Sequence, residues 1–201
     1  MRSPLSASLA AIRRGRVAIL TVAATYLFSL VAGILMVSTG NSLALERRDE
    51  IVGAAQTSDI LVADRGGDHL KAALLDFASN LVLGGGTSTV TGITVVGSYP
   101  LVAYRGWVGG IVSVDARHQS RLDDPGSATY YLVTLLLQLI PYSIVGGMGV
   151  YLGVGAWRAV LRPQGDTWLG LPKDRLRDVA VAYVVIAPLF LMASLWEFFL
   201  G

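Results

Sequence analysis

Residues 17–38 read VAILTVAATYLFSLVAGILMVS, 22 consecutive residues without a charge. That length matches the roughly 20 apolar residues a helix needs to cross a bilayer core. Residues 179–200, VAVAYVVIAPLFLMASLWEFFL, repeat the pattern with one charge, at Glu197, and residues 129–156 form a third run. A fourth apolar stretch, 74–114, is about twice the length of one span and is broken by glycines. The fold class expected is an all-α integral membrane protein, a single membrane domain over residues 1–201.

Composition agrees. The chain is 53% hydrophobic and 15% charged, with mean hydropathy +0.58, against about 25% charged residues in a soluble domain. Arg2, Arg13, Arg14 and Arg16 precede the first run. They resemble the basic start of an export signal, but the run exceeds the 7–15 apolar residues of a signal core, so a retained first transmembrane helix is expected. There is no cysteine, which removes disulfides, thiolate zinc sites and cysteine nucleophiles together.

Charge sets the expected topology, because Lys and Arg collect on the cytoplasmic side. The first 16 residues and the segment 157–177 together hold nine of the sixteen basic residues. If both lie inside, the stretch 74–114 must cross an even number of times. The expectation is about five spans, near 17–38, 74–96, 98–114, 129–156 and 179–200, with the amino terminus cytoplasmic. The segment 39–73 then lies outside, with a surface helix over Leu43 to Val62 and a turn at Arg65–Asp68. The Asp-Asp-Pro-Gly of residues 123–126 reads as a turn in a second outer loop. The inner loop carries the breakers Pro163, Gly165, Gly170 and Pro172, with Trp157 and Trp168 suited to headgroup level. The net charge of +2 is a membrane-side distribution and implies no nucleic-acid partner.

Fourteen of the 23 glycines fall between Gly84 and Gly155. Gly84, Gly85 and Gly86 are followed by Thr87-Ser88-Thr89; Gly97 and Pro100 follow. Gly106 with Gly110, and Gly149 with Gly153, match the small-xxx-small pattern of close helix packing, and Gly109 lies beside the first pair. The same glycines also suit interrupted helices around a polar centre. The bend between the second and third spans falls at either 84–86 or 97–100.

Charged residues at membrane depth are expensive and few. Arg105 is expected to face the interior and pair, with Asp76 and Asn80, four apart on one helical face, as the nearest polar candidates. Gln138 and Tyr142 lie mid-span beside Pro141, which is expected to kink its helix unless neighbours compensate. Glu197 sits near the outer end of the last span. No P-loop lysine follows the glycine triplet, His69 and His118 stand apart in outer segments, and no serine or carboxylate has an intramembrane histidine beside it. No catalytic residue, cofactor or metal is expected.

Several short motifs resemble those of the stage II sporulation protein M (SpoIIM-like) family. Phe77-Ala-Ser-Asn80 looks like the family's Phe-x-x-Asn opening of its second helix. Tyr104-Arg-Gly106-Trp-Val-Gly109 resembles its Asn-Gly-x-x-x-Gly stretch, with Arg105 in the asparagine's place. Leu139-Ile-Pro141-Tyr-Ser-Ile-Val-Gly146 resembles its Pro-His-Gly-x-x-Glu segment, with Tyr142, Ser143 and Gly146 replacing the histidine, glycine and glutamate. Trp196-Glu197-Phe198 looks like the family's closing glutamate and aromatic. The resemblance spans roughly residues 17–199 and implies a non-enzymatic, multi-pass component of a bacterial or archaeal cell membrane. Two functions are expected on these grounds. One is a scaffold subunit of a larger membrane or envelope complex, with other subunits as partners. The other is a transporter or channel subunit, a homo-oligomer with a pathway through the broken central helices.

Overall fold

The computed structural model describes residues 3–162 and 166–200, and the long apolar runs in it are long helices. An amino-terminal helix α1 (Pro4–Arg14) starts at Ser3, whose side chain accepts from the Ser6 N–H. It is followed by α2 (Arg16–Ser38). Helix α3 (Ser42–Gln56) is capped by Asn41 and α4 (Asp59–Arg65) by Ser58. The surface helix expected over 43–62 is therefore two helices, because the Ser58 hydroxyl accepts from the Leu61 N–H and starts a new one. The turn expected at Arg65–Asp68 is present, with Gly67 at φ +82° and Asp68 capping α5 (His69–Ala78).

α5 runs without a break into a π-helical segment (Ser79–Gly86) and then α6 (Thr87–Gly92). This continuous helical path begins inside the segment 39–73 assigned to the outside and ends before residue 96. The chain turns over residues 93–97, with Val95 at φ 68°, and enters α7 (Ser98–Ile111). The bend thus lies at neither glycine cluster alone: Gly84, Gly85 and Gly86 sit inside a widened helix, and Gly97 ends the turn.

α8 (Pro125–Leu161) is longer than the run 129–156 that marked it. Asp124 accepts from the Ser127 N–H and Pro125 takes the first helical position, so Asp-Asp-Pro-Gly is a helix start, not a turn. α8 continues through Pro141. A two-stranded ribbon, β1 (Thr167–Trp168) and β2 (Leu171–Pro172), precedes α9 (Lys173–Phe199). Arg2, Pro163 and Gly165, which entered the topology argument, lie outside the described residues.

The register of contacts gives the helix directions. Tyr26 meets Gly106 and Leu30 meets Gly110, so α2 and α7 run parallel. Ile19 meets Gly147 and Val22 meets Gly146, so α8 opposes α2. Thr89 meets Gly149 and Ile93 meets Gly153, so the path 69–92 runs with α8. Phe190 meets Tyr142 and Ser194 meets Asp76, so α9 opposes both. Five helical units lie side by side, and successive units in the chain alternate in direction.

Glycine makes this packing possible. A Cβ on Gly106 or Gly110 would strike the α2 backbone, and one on Gly149 or Gly153 would strike α6 and the turn after it. Among the described residues three helices, Arg16–Ser38, Pro125–Leu161 and Lys173–Phe199, are long and apolar enough to cross a membrane. On α2 the side chains of Leu20, Leu27, Phe28, Val31 and Leu35 point outward and are exposed, an apolar belt that suits lipid.

One end of the bundle is held by Arg14, whose Nε donates to Asp178 at 2.7 Å, and by the Tyr151 hydroxyl donating to the same carboxylate at 3.1 Å. At the opposite end α3 packs on the loop after α7. Arg48, only 4% exposed, donates to the Val114 carbonyl, and Asp49 meets both Arg48 and His118.

Candidate functional site

The widened turn of the π segment decides the local geometry. Gly84 and Gly85 carry no side chain where Tyr142 and Phe190 approach. A Cβ on Gly84 would overlap the Tyr142 hydroxyl, and one on Gly85 would lie 3.1 Å from the Phe190 ring. A Cβ on Gly86 would meet only the Leu81 carbonyl, at 3.9 Å, and needs no such allowance. The hydroxyls that follow bond to backbone carbonyls at the break. Ser88 donates to the Gly84 carbonyl at 2.8 Å, and Ser98 to the Ser88 carbonyl at 2.8 Å. Backbone that departs from regular α-helix within a bilayer requires such partners.

The opening left by the glycines admits Tyr142 from α8, and Tyr142 joins two polar groups. Its hydroxyl donates to Asn80 Oδ1 at 2.5 Å and accepts from Arg105 Nη1 at 2.9 Å. The Arg105 guanidinium carbon lies 4.3 Å from the Tyr142 ring centre, a cation–π arrangement. Asn80 Nδ2 donates to Asp76 Oδ2 at 2.8 Å, and Ser194 Oγ of α9 donates to the same oxygen at 2.7 Å. The result is one chain of side chains, Arg105–Tyr142–Asn80–Asp76–Ser194, tying α7, α8, the α5–π path and α9 together.

Arg105 therefore does not pair directly with Asp76. Among the described residues it forms no ion pair, and its buried Nε has no hydrogen-bond partner. It faces a cavity of about 530 Å³ that also reaches Tyr26, Gln138, Tyr142 and Glu197. Leu101, Val108, Val112 and Leu135 form apolar walls, and Ile51 of α3 also lines it. The Glu197 carboxylate, the Gln138 amide and the Tyr26 hydroxyl make no hydrogen bond to another described residue. Thr134, one turn from Gln138, is already occupied: its hydroxyl donates to the Tyr130 carbonyl and accepts from Trp196 Nε1.

Of the polar residues singled out in the sequence, Arg105, Gln138, Tyr142 and Glu197 line one cavity, and Asn80 and Asp76 stand behind Tyr142. Pro141 is buried beside Tyr142. Gly109 touches the cavity, with Leu135 and Leu30 closest to it, whereas Gly106, Gly110, Gly149 and Gly153 serve helix contact away from it. Tyr26 and Ser194 escaped sequence reasoning. Each is an uncharged polar group in a largely apolar stretch of helix, and only the rotation of that helix directs it inward. His69 bonds to Asp64 and His118 to Asp49, both at the surface, and no metal-holding group of residues occurs among the described residues.

The arrangement can hold separated charges. Among the described residues it has a guanidinium with one hydrogen bond, on α7, and a carboxylate with none, on α9, both lining one cavity. No family model, curated protein or solved structure matches the chain.

Proposed function

We propose that this chain is a non-enzymatic, five-span membrane protein that binds a small polar solute within the bilayer, as a transport-class subunit. The observation that carries the reading is the cavity between α2, α7, α8 and α9, where Arg105, Gln138, Tyr26 and Glu197 present hydrogen-bonding groups the protein itself leaves unused. Ionisable groups at membrane depth are costly to retain without a role.

Five spans with a cytoplasmic amino terminus are supported by the alternating directions of the five helical units and by the basic residues at one end. Arg14, Arg158 and Arg175 share that end, and the acidic segment around α3 and α4 is at the other. In this orientation the cavity belongs to the outer half. Towards the inner half α8 packs closely on α2 and α6, so the solute site faces outward and is closed below Tyr142.

The SpoIIM-like resemblance touches some of the same residues. Of the positions that carry it, Arg105, Tyr142 and Glu197 are distant in sequence yet line this cavity, and Asn80 stands behind Tyr142. Two of the departures, Arg105 and Tyr142, are hydrogen-bonded to each other. The same resemblance favours a second reading, a scaffold subunit in a cell-membrane complex. A shallow apolar groove lined by Val133, Leu137, Met192 and Leu195 offers a face for a neighbouring helix or lipid.

Two measurements separate the readings. Reconstituted liposomes challenged with a panel of small polar solutes, followed by light scattering, are expected to show selective permeation that Arg105→Leu abolishes while the bundle stays folded. Native mass spectrometry after mild-detergent extraction tests the other side. Fixed stoichiometry with other subunits, and no permeation, would favour the scaffold.

A further inference from the structure

The cavity brings a guanidinium and a carboxyl group to one space and keeps them apart. Arg105 and Glu197 line the same space without forming an ion pair. A cation alone would meet the guanidinium, and an anion alone would meet the carboxylate. Opposite charges held apart in apolar surroundings lack the mutual attraction that compensates desolvation. A molecule that itself bears separated opposite charges supplies a partner for each.

We propose that this cavity is a binding site for a small zwitterion, its carboxylate or phosphate on Arg105 and its ammonium on Glu197. The inference rests on the solute-binding reading above and names the chemical class of that solute. The guanidinium is a planar fork suited to an oxyanion, and Tyr142 fixes its orientation through Nη1 while Nη2 makes no hydrogen bond to a described residue. Gln138 stands on the face of α8 that carries Tyr142, one turn away, and offers both a donor and an acceptor. Leu101, Val108 and Leu135 provide an apolar wall for an uncharged body. The volume of about 530 Å³ falls within the range of small-molecule sites. A free amino acid and the headgroup of an ethanolamine phospholipid share this chemistry.

The test uses the purified full-length chain. Binding of L-leucine is compared in detergent with that of 4-methylpentanoate, which lacks the ammonium, and 3-methylbutylamine, which lacks the carboxylate. Lipid retention is compared by native mass spectrometry from nanodiscs of mixed phosphatidylethanolamine and phosphatidylglycerol. Leucine binding with phosphatidylethanolamine not enriched assigns the site to a soluble zwitterion; the reverse assigns it to the lipid headgroup. In either case the single-charge leucine analogues or phosphatidylglycerol bind at least about tenfold more weakly. Arg105→Gln is expected to erase the discrimination and Arg105→Lys to retain much of it, which separates a binding role from a structural one. If neither zwitterion binds, or if the single-charge probes bind equally well, the proposal is overturned. Zwitterion binding without permeation would keep this site and remove the transport reading. Permeation of uncharged solutes without zwitterion binding would do the opposite.

Discussion

The Tyr142 hydroxyl occupies the space into which a side chain at Gly84 would project. This contact links the widened helix to the polar cavity, since the same hydroxyl bonds Asn80 and Arg105. Gly84→Ala is expected to displace Tyr142 and to lower stability by about 1–3 kcal/mol, the usual cost of overpacking. Thermal unfolding in detergent measures the loss. Adding Tyr142→Phe should relieve part of it, because the hydroxyl is the nearest atom and ring carbons at 3.0 Å stay close. No relief in the double variant would count against this account.

Tyr142→Phe alone removes Arg105's one hydrogen bond and leaves Asn80 Oδ1 without its donor. A loss of about 1–3 kcal/mol is expected for stranding such groups. In a double-mutant cycle Tyr142→Phe and Arg105→Leu should couple by about 0.5–3 kcal/mol, as groups in one network do. Additive effects in denaturation would show that the pair does not act together.

The glycines divide by what faces them. Gly110→Leu and Gly149→Leu place bulk against backbone of α2 and α6 and should prevent formation of a monodisperse bundle. Gly109→Leu presses on Leu135 and Leu30 side chains, which can yield, so a milder defect is expected there. Gly86→Ala makes only an ordinary van der Waals contact with the Leu81 carbonyl and should be neutral or slightly stabilising, because alanine favours helix. Size-exclusion profiles of the four variants rank them; a Gly86→Ala defect as large as that of Gly149→Leu would contradict the ranking.

At the loop end, Asp49 is held below the usual carboxylate range by its hydrogen bond from Arg48 and then by His118. Asp115 is lowered in the same direction by the backbone N–H groups of Gln119 and Arg117. A carboxyl depressed in the folded state stabilises above its unfolded value of about 3.9, and that contribution fades as pH falls through the lower folded value. Hydrogen exchange over residues 112–124 should therefore accelerate as pH drops through and below about 4, after correction for intrinsic exchange. Asp49→Asn should flatten part of that dependence; an unchanged profile would remove Asp49 from the cause.

The sequence by itself determined the class of structure, all-helical with runs long and apolar enough to cross a membrane. Uncharged runs such as 17–38 leave helix as the backbone form in which each such segment satisfies its own hydrogen bonds in lipid. The small-residue spacing of Gly106 with Gly110, and of Gly149 with Gly153, marked where helices touch, because small residues permit close backbone approach. The polar residues 76, 80, 105, 138, 142 and 197 were legible as exceptions to an apolar background. Their arrangement was not. The link from Arg105 to Asp76 runs through Tyr142 and Asn80, and it depends on a π segment that lets Tyr142 in beside Gly84. Helical rotation decided that Tyr26 and Ser194 face inward, and a uniformly apolar helix such as α2 carries no periodic signal of its rotation. Propensity and composition act along the chain. The cavity is made by side chains far apart in sequence, and only the packing of the helices that carry them brings Arg105 and Glu197 to one space.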